Sequence, residues 1–336
     1  VLPTETAVIS PDAERLAFSV ANFLSEYEAI LTPIEDIRRG RKPDLIFRKS
    51  CHDTSPWGRL CKEWAEHDQD VALLFSVDHR KLQALRQMGI TRVEHAADMD
   101  PVQYESQSPL LSLKSLQLIQ KQARTLIDRS IIVRKPFVDR GAMYEVHFDI
   151  ESYPQTDTDY LFGFFTRDRQ TGKTESISFF ADKVKDEKRM WKAFVSWLST
   201  LPTIYTVYHY AAYEAERIQI LAKRYGDEGH PDIEHFLHSM VDLKEIARDH
   251  VVFPLYFYSL KLIGGLIGYH WTGALVSGGK SIDVYDRWLK KGLLRDRNAL
   301  IRYNQHDVFA TAALIDWLRM YAVQETIYPL PYPWLP

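Results

Sequence analysis

Three short segments of this chain carry side chains that could do chemistry. They read Phe148-Asp149-Ile150-Glu151-Ser152, His209-Tyr210-Ala211-Ala212-Tyr213-Glu214 and Tyr303-Asn304-Gln305-His306-Asp307. The first closes an apolar run that alternates with period two. Side chains two apart on a strand share a face, so Asp149 and Glu151 point the same way. The third lies in a helical pattern over roughly residues 295–320, where Tyr303 and Asp307 are four apart and share a face. Two acids on a strand, a later acid at Glu214 and a fourth on a helix make a cage of oxygen ligands. Such a cage suits a hard divalent ion, Mg²⁺ or Mn²⁺. Two ions about 3.5–4 Å apart can clamp the attacking and leaving oxygens of phosphodiester hydrolysis. Crowded carboxylates also raise one another's pKa, so the set needs cations.

The elements that must position these acids are legible around them. After the first strand come apolar strands near residues 160–166 and 176–180, joined by a turn at 170–173. Together they predict a three-stranded antiparallel meander. Residues 188–198 read as a helix with Trp191, Phe194 and Trp197 at core spacing. Residues 203–208 read as a fourth strand that delivers His209 to Glu214 at the start of a helix over 213–225. Residues 241–243 begin either a fifth strand or the next helix. Antiparallel strands followed by alternating strands and helices predict an α/β fold, a mixed sheet flanked by helices. Sites in such folds form where strand ends face helix starts.

At this point the chain resembles a family. Asp149-Ile150-Glu151 matches the D-x-E first motif of the DEDD 3′–5′ exonucleases, which have an RNase H-like fold. Tyr303-x-x-x-Asp307 matches the third motif of their tyrosine subgroup. The second motif departs from the usual H-N-x-x-F-D: His209 to Glu214 ends in Glu. With Tyr258-Ser259-Leu260-Lys261 and the run from Tyr303 to Thr311, the text resembles the YprB-type nuclease domain over residues 140–322. That domain follows RecB-like nuclease segments and precedes superfamily 1 helicases. The resemblance implies a two-metal 3′–5′ exonuclease acting on single-stranded nucleic acid, DNA before RNA. A helicase domain or subunit is then the expected partner. Asp149 would bridge both ions, Glu151 would bind one and orient water, and Asp307 would hold a metal from the opposite side. Glu214 would complete the charge directly or through water, and Tyr303 would position or activate the water, with His306 as second candidate. The competing expectation is an inactive nucleic-acid-binding or docking module within a helicase–nuclease assembly. Ile150, His209, Tyr210, Ser259, Lys261 and Lys280 are the residues expected to touch nucleic acid. For Ser259 and Lys261, at a helix start, phosphate contact competes with plain N-capping.

Composition bounds the rest. The chain has 336 residues, 46% apolar, with net charge −3 and two Cys. The length predicts two or three domains. The near-neutral charge gives no global nucleic-acid signature, so any basic footprint must be local. Two Cys argue for a reducing compartment, and the cytoplasm is the expected location. No apolar run approaches the ~20 residues that span a bilayer. A first residue of Val and a Pro-rich end, residues 323–336, lead us to expect a piece of a longer protein.

Residues 1–66 carry apolar residues at helical spacing over 10–31, then a basic run over 37–49. Cys51, His52 and Cys61 follow. This resembles the C-terminal end of RecB-like nucleases, whose Cys can hold an iron–sulfur cluster. A cluster needs four ligands, so a remnant that packs or docks is expected. Residues 67–132 resemble a helix-hairpin-helix segment with its turn at Gly89-Ile90, and residues 133–140 read as a linker. Gly278-Gly279-Lys280-Ser281 looks like part of a P-loop. Ala274 stands where the first Gly should be, which excludes an ATP site.

Overall fold

The computed structural model describes residues 4–9, 14–41, 46–48, 55–272 and 278–335. The chain divides into two compact units, Val1–Trp64 and Ala65–Pro336. In the first, β1 (Glu5–Ile9) and β2 (Arg15–Ser19) pair antiparallel, and α1 (Leu24–Arg38) follows. The helix expected over residues 10–31 therefore begins only at Leu24. Leu16 and Val20 mimic helical spacing, but Leu16 and Phe18 also alternate, and the partner strand Glu5–Ile9 decides the outcome. In the basic run, Arg39 and Arg41 pair with Glu35 and Asp36 on an exposed face. Cys51 and His52 lie outside the described residues. Cys61 is a part-buried free thiol on α2 (Gly58–His67).

The second unit opens with helices: α3 (His79–Gln87), α4 (Val93–Asp98), α5 (Pro101–Tyr104) and α6 (Leu113–Asp128). Gly89, with φ of 79°, makes the left-handed turn between α3 and α4, and Ile90 behind it is buried. Next come β3 (Ile131–Val133), β4 (Tyr144–Tyr153), β5 (Thr158–Asp168) and β6 (Thr174–Phe180). Then follow α7 (Glu187–Leu198), β7 (Thr206–His209), α8 (Tyr213–Tyr225) and α9 (Pro231–His238). The expected strand or helix at residues 241–243 is both: β8 (Met240–Asp242) runs into α10 (Leu243–His250). The remainder is β9 (Val251–Val252), α11 (Leu260–Leu266), α12 (Gly278–Lys291), α13 (Leu294–Tyr321) and β10 (Thr326–Tyr328).

The main sheet has the order β6-β5-β4-β7-β8. β4, β5 and β6 are antiparallel, and β7 and β8 add in parallel. Strand alternation divides β4 cleanly. Val146, Phe148 and Ile150 enter an aromatic core with Phe162, Phe164, Trp191, Phe194 and Phe236 on the face covered by α7, α8 and α9. Glu145, His147, Asp149 and Glu151 take the opposite face, under α13. There His147 Nδ1 lies 3.0 Å from Thr311 Oγ1. At the far end of this polar row Glu145 is fully buried. Burial alone would raise its pKa, but the His147 imidazole 3.5 Å away and hydrogen bonds from Arg319 and Arg167 hold it down to about 2. That ion cluster locks α13 onto the sheet. A smaller sheet, β10-β3-β9, joins the helical segment to the chain's last strand, and Tyr332 and Trp334 pack beside it against Trp317.

The register of β4 against β5 shifts immediately after Glu151: Glu151 faces Leu161, but Ser152 faces Asp159. Tyr160 is the extra residue. Such a bulge bends the strand end and re-aims its side chains.

Candidate active site

Asp149, Glu151 and Asp307 each offer a carboxylate oxygen within 4.8 Å of the others. β4 supplies the first two from one face, and α13 crosses that face to supply the third. Glu151 and Asp307 are buried, while Asp149 stays partly accessible. The electrostatics follow from the crowding. Burial, then the charges of Asp307, Glu151 and Glu214, push Asp149 well above the ordinary carboxyl range. Glu151 is pushed up to about 8, by burial first and Asp307 second. Asp307 is raised by burial, although Lys261, Trp271 and Tyr303 draw it back.

Each acid has its own fixed donor. Asn304 Nδ2 donates to Asp149 Oδ2 at 2.7 Å. Ser281 Oγ donates to Glu151 Oε2 at 2.9 Å, and the hydroxyl of the bulged Tyr160 approaches the same oxygen at 3.4 Å. Trp271 Nε1 donates to Asp307 Oδ1 at 2.6 Å. Gly264 makes room for that indole, since a Cβ there would stand 2.6 Å from Trp271 Cη2. Tyr303, one turn before Asp307, is buried and hydrogen-bonded to Lys261 Nζ, which also lies 4.3 Å from the centre of its ring. Burial, then Asp307, Glu151 and Asp149, push the phenol far above its usual range. In the metal-free protein the phenol is thus held neutral, as a hydrogen-bonding group beside the acids.

Glu214 stands next to the cluster rather than within it. It is buried at the start of α8, and its charge reaches Asp149. His209 Nδ1 lies 2.7 Å from the Ala211 carbonyl and 3.5 Å from Glu214 Oε2, so its proton belongs to the carbonyl. Glu214 Oε2 is left buried without a hydrogen-bond partner. Arg217, its neighbour one turn on, is committed to Asp157 and Asp159. The corner that aims Glu214 is strained. Ala211 holds φ of 77°, and its N–H is anchored on Asp242 Oδ1 at 2.9 Å. Left-handed backbone costs an alanine roughly 1–2 kcal/mol.

Three convergent carboxylates, an orphaned buried carboxylate oxygen beside them and raised pKa values all fit a hard divalent cation. Glu214→Gln keeps the shape and removes the charge. It should weaken Mn²⁺ binding about tenfold, as loss of a supporting group around a metal does. Isothermal titration would measure this, and activity should partly return at higher Mn²⁺. Unchanged affinity would take Glu214 out of the site.

The other sequence-derived residues divide. Lys261 lies at the cluster, and Lys280 is exposed at the start of α12. Ser259 caps α11 by accepting from Leu262 N. Ile150 is a correction: strand alternation sends its side chain into the core, away from the acids. His209 is another, buried and spent on the turn that delivers Glu214. Tyr210 is partly buried, and its hydroxyl donates to the Tyr258 carbonyl. His306 has both ring nitrogens engaged, by Tyr269 and Thr272. Sequence reasoning missed Asn304, Ser281, Trp271, Tyr160 and Gly163. Gly163 carried a usable signal, because a glycine inside an apolar strand marks a close approach. A separate cavity of about 400 Å³, lined by Phe137, Asp139, Arg140, Tyr208 and His250 among others, includes none of Asp149, Glu151, Glu214 and Asp307.

A mixed sheet whose central strand and C-terminal helix bring carboxylates together defines a nuclease-type domain. A family model of the RNase H superfamily matches residues 146–319, just over half of the chain, and the chain belongs to that superfamily. Neither the curated proteins nor the solved structures gave a match. Membership points to a hydrolase that acts on nucleic acid with divalent metal ions. No described helix is long and apolar enough to cross a membrane.

Proposed function

We propose that this chain is a metal-dependent 3′–5′ exonuclease of the DEDD type, tyrosine subgroup, acting on single-stranded nucleic acid, with DNA preferred over RNA. The observation that carries the reading is the convergence of Asp149, Glu151 and Asp307 within 4.8 Å. Tyr303 one turn before Asp307 supports it, as does the superfamily membership. Asp149, Glu151 and Asp307 would hold Mg²⁺ or Mn²⁺, and Glu214 would add negative charge from beside them. When bound, the ions supply a polarised water and offset charge on the leaving oxygen. Water gives up a proton as its oxygen bonds to phosphorus, the P–O3′ bond breaks, and the released 3′-oxygen takes up a proton. Tyr303 orients the attacking water by hydrogen bonding, and Lys261 beside it meets a phosphate oxygen. Lys280 extends the basic path.

We assign residues 140–322 to this domain, of YprB type, and residues 323–336 to a tail. Residues 1–66 are read as a RecB-like remnant and 67–132 as a helix-hairpin-helix-like segment. The expected setting is a cytoplasmic helicase–nuclease assembly. The test uses 5′-end-labelled single-stranded DNA and RNA with Mg²⁺, Mn²⁺ or EDTA. A ladder shortened from the 3′ end, abolished by EDTA, is expected. Tight binding with no cleavage in Mn²⁺ would replace this reading with a nucleic-acid-binding module.

A further inference from the structure

Asn304 is fully buried and makes two contacts to a single residue. Its Nδ2 lies 2.7 Å from Asp149 Oδ2 and 3.2 Å from the Asp149 carbonyl oxygen. Its Oδ1 is buried without a hydrogen-bond partner. The amide orientation is nonetheless fixed. Turned over, Oδ1 would face a carboxylate and a carbonyl, acceptor against acceptor. The orphaned oxygen rests instead against Gly163, the residue that pairs with Asp149 across β4 and β5. A Cβ at Gly163 would stand 1.6 Å from Asn304 Oδ1 and 2.7 Å from its Cγ. Asn304 is short and enclosed, so it could yield only by leaving Asp149.

We propose that Asn304, seated in the gap left by Gly163, is a positioning residue. It fixes the Asp149 carboxylate by engaging Oδ2, and so leaves Oδ1 to ligate the metal. The inference rests on the metal-site reading above. It explains why an amide adjoins Tyr303 rather than another acid: a carboxylate there would add repulsion to an already crowded set and could not donate. It also explains why a glycine interrupts an apolar strand at the register position opposite Asp149.

Mn²⁺ titration, followed by calorimetry and by the electron paramagnetic resonance of the free ion, tests this without relying on turnover. Asn304→Ala should weaken Mn²⁺ affinity about 10–100-fold, the usual cost of losing a group that orients a ligand. Asn304→Asp, of the same shape, should weaken it at least as much. Gly163→Ala should match Asn304→Ala, because both release Asp149. The double variant should bind no worse than either single one, since the loss is shared. Circular dichroism checks folding. If Gly163→Ala does not fold, the two Asn304 variants decide the matter alone. Wild-type affinity in Asn304→Ala overturns the proposal while leaving the metal site standing. Independent, additive losses in the double variant overturn it as well. Failure of the wild-type protein to take up Mn²⁺ overturns the metal-site reading itself.

Discussion

Asp149→Ala is expected to lower hydrolysis by at least about 10³-fold while the protein stays folded, because charge stabilisation at the reacting phosphate is lost. Asp149 lies at the electrostatic centre of the site, feeling Asp307, Glu151 and Glu214 at once. Removing it, or Asp307, takes a like charge out of a buried set, which relieves the metal-free protein. The pH dependence gives a second reading of the same crowding. Glu151 has a folded pKa raised from 4.5 to about 8. Its protonated form therefore favours the folded state at low pH, and that advantage is lost as the pH rises through about 8. Metal-free wild-type protein should melt at a lower temperature at pH 9 than at pH 6. Asp307→Ala should flatten that difference, since after burial Asp307 is the chief cause of the Glu151 shift. Full activity in Asp149→Ala, or a melting temperature indifferent to both pH and Asp307, would remove the crowded metal site from consideration.

The chemistry-bearing residues were readable because their signals are local. Two carboxylates two apart on an alternating strand must share a face. A Tyr and an Asp four apart on a helix must do the same, and β4 and α13 obey both rules. The meander and the existence of a fourth strand followed from the order of apolar runs, and the structure adds that β7 pairs in parallel with β4. What escaped depends on contacts distant in sequence. Ser281 reaches Glu151 across 130 residues, and Asn304 reaches Asp149 across 155. Ser281 was read as a fragment of a phosphate loop because the text around it is glycine-rich, whereas its role comes from where α12 docks. The bulge that brings Tyr160 to Glu151 is a one-residue mismatch that neither strand reveals alone. Ile150 was misplaced for a simpler reason. The alternation that turns Asp149 and Glu151 outward from the aromatic core turns the residue between them into it. Residues 15–19 were misread because helical and strand periods overlap in short apolar runs, and a partner strand settles which one wins.

Tyr303→Phe is expected to lower kcat by roughly 10²–10³-fold, the effect of deleting one positioned hydrogen bond that acts in the transition state. KM for a single-stranded oligonucleotide should change little. The substitution isolates the hydroxyl. Phenylalanine keeps the ring under Lys261, whose Nζ lies 4.3 Å from its centre, so the cation–π contact and the packing survive. What is lost is the hydroxyl, with its hydrogen bonds to Lys261 and Asp307. Burial and three nearby carboxylates push the phenol far above its usual range in the metal-free protein. A hydroxyl that acts by hydrogen bonding alone leaves the pH profile of kcat in Tyr303→Phe with the wild-type shape at a lower height. Lys261→Met makes the complementary cut. It leaves the hydroxyl but removes the charge that would meet phosphate, and should raise KM and reduce the slope of binding against salt. A Tyr303→Phe protein with wild-type kcat would break this division, since His306 is already tied at both nitrogens and no other phenol lies so close to Asp307 among the residues described at the cluster. Orientation of the water would then fall to Glu151, whose Oε2 already accepts from Ser281 and whose other oxygen would have to do the work.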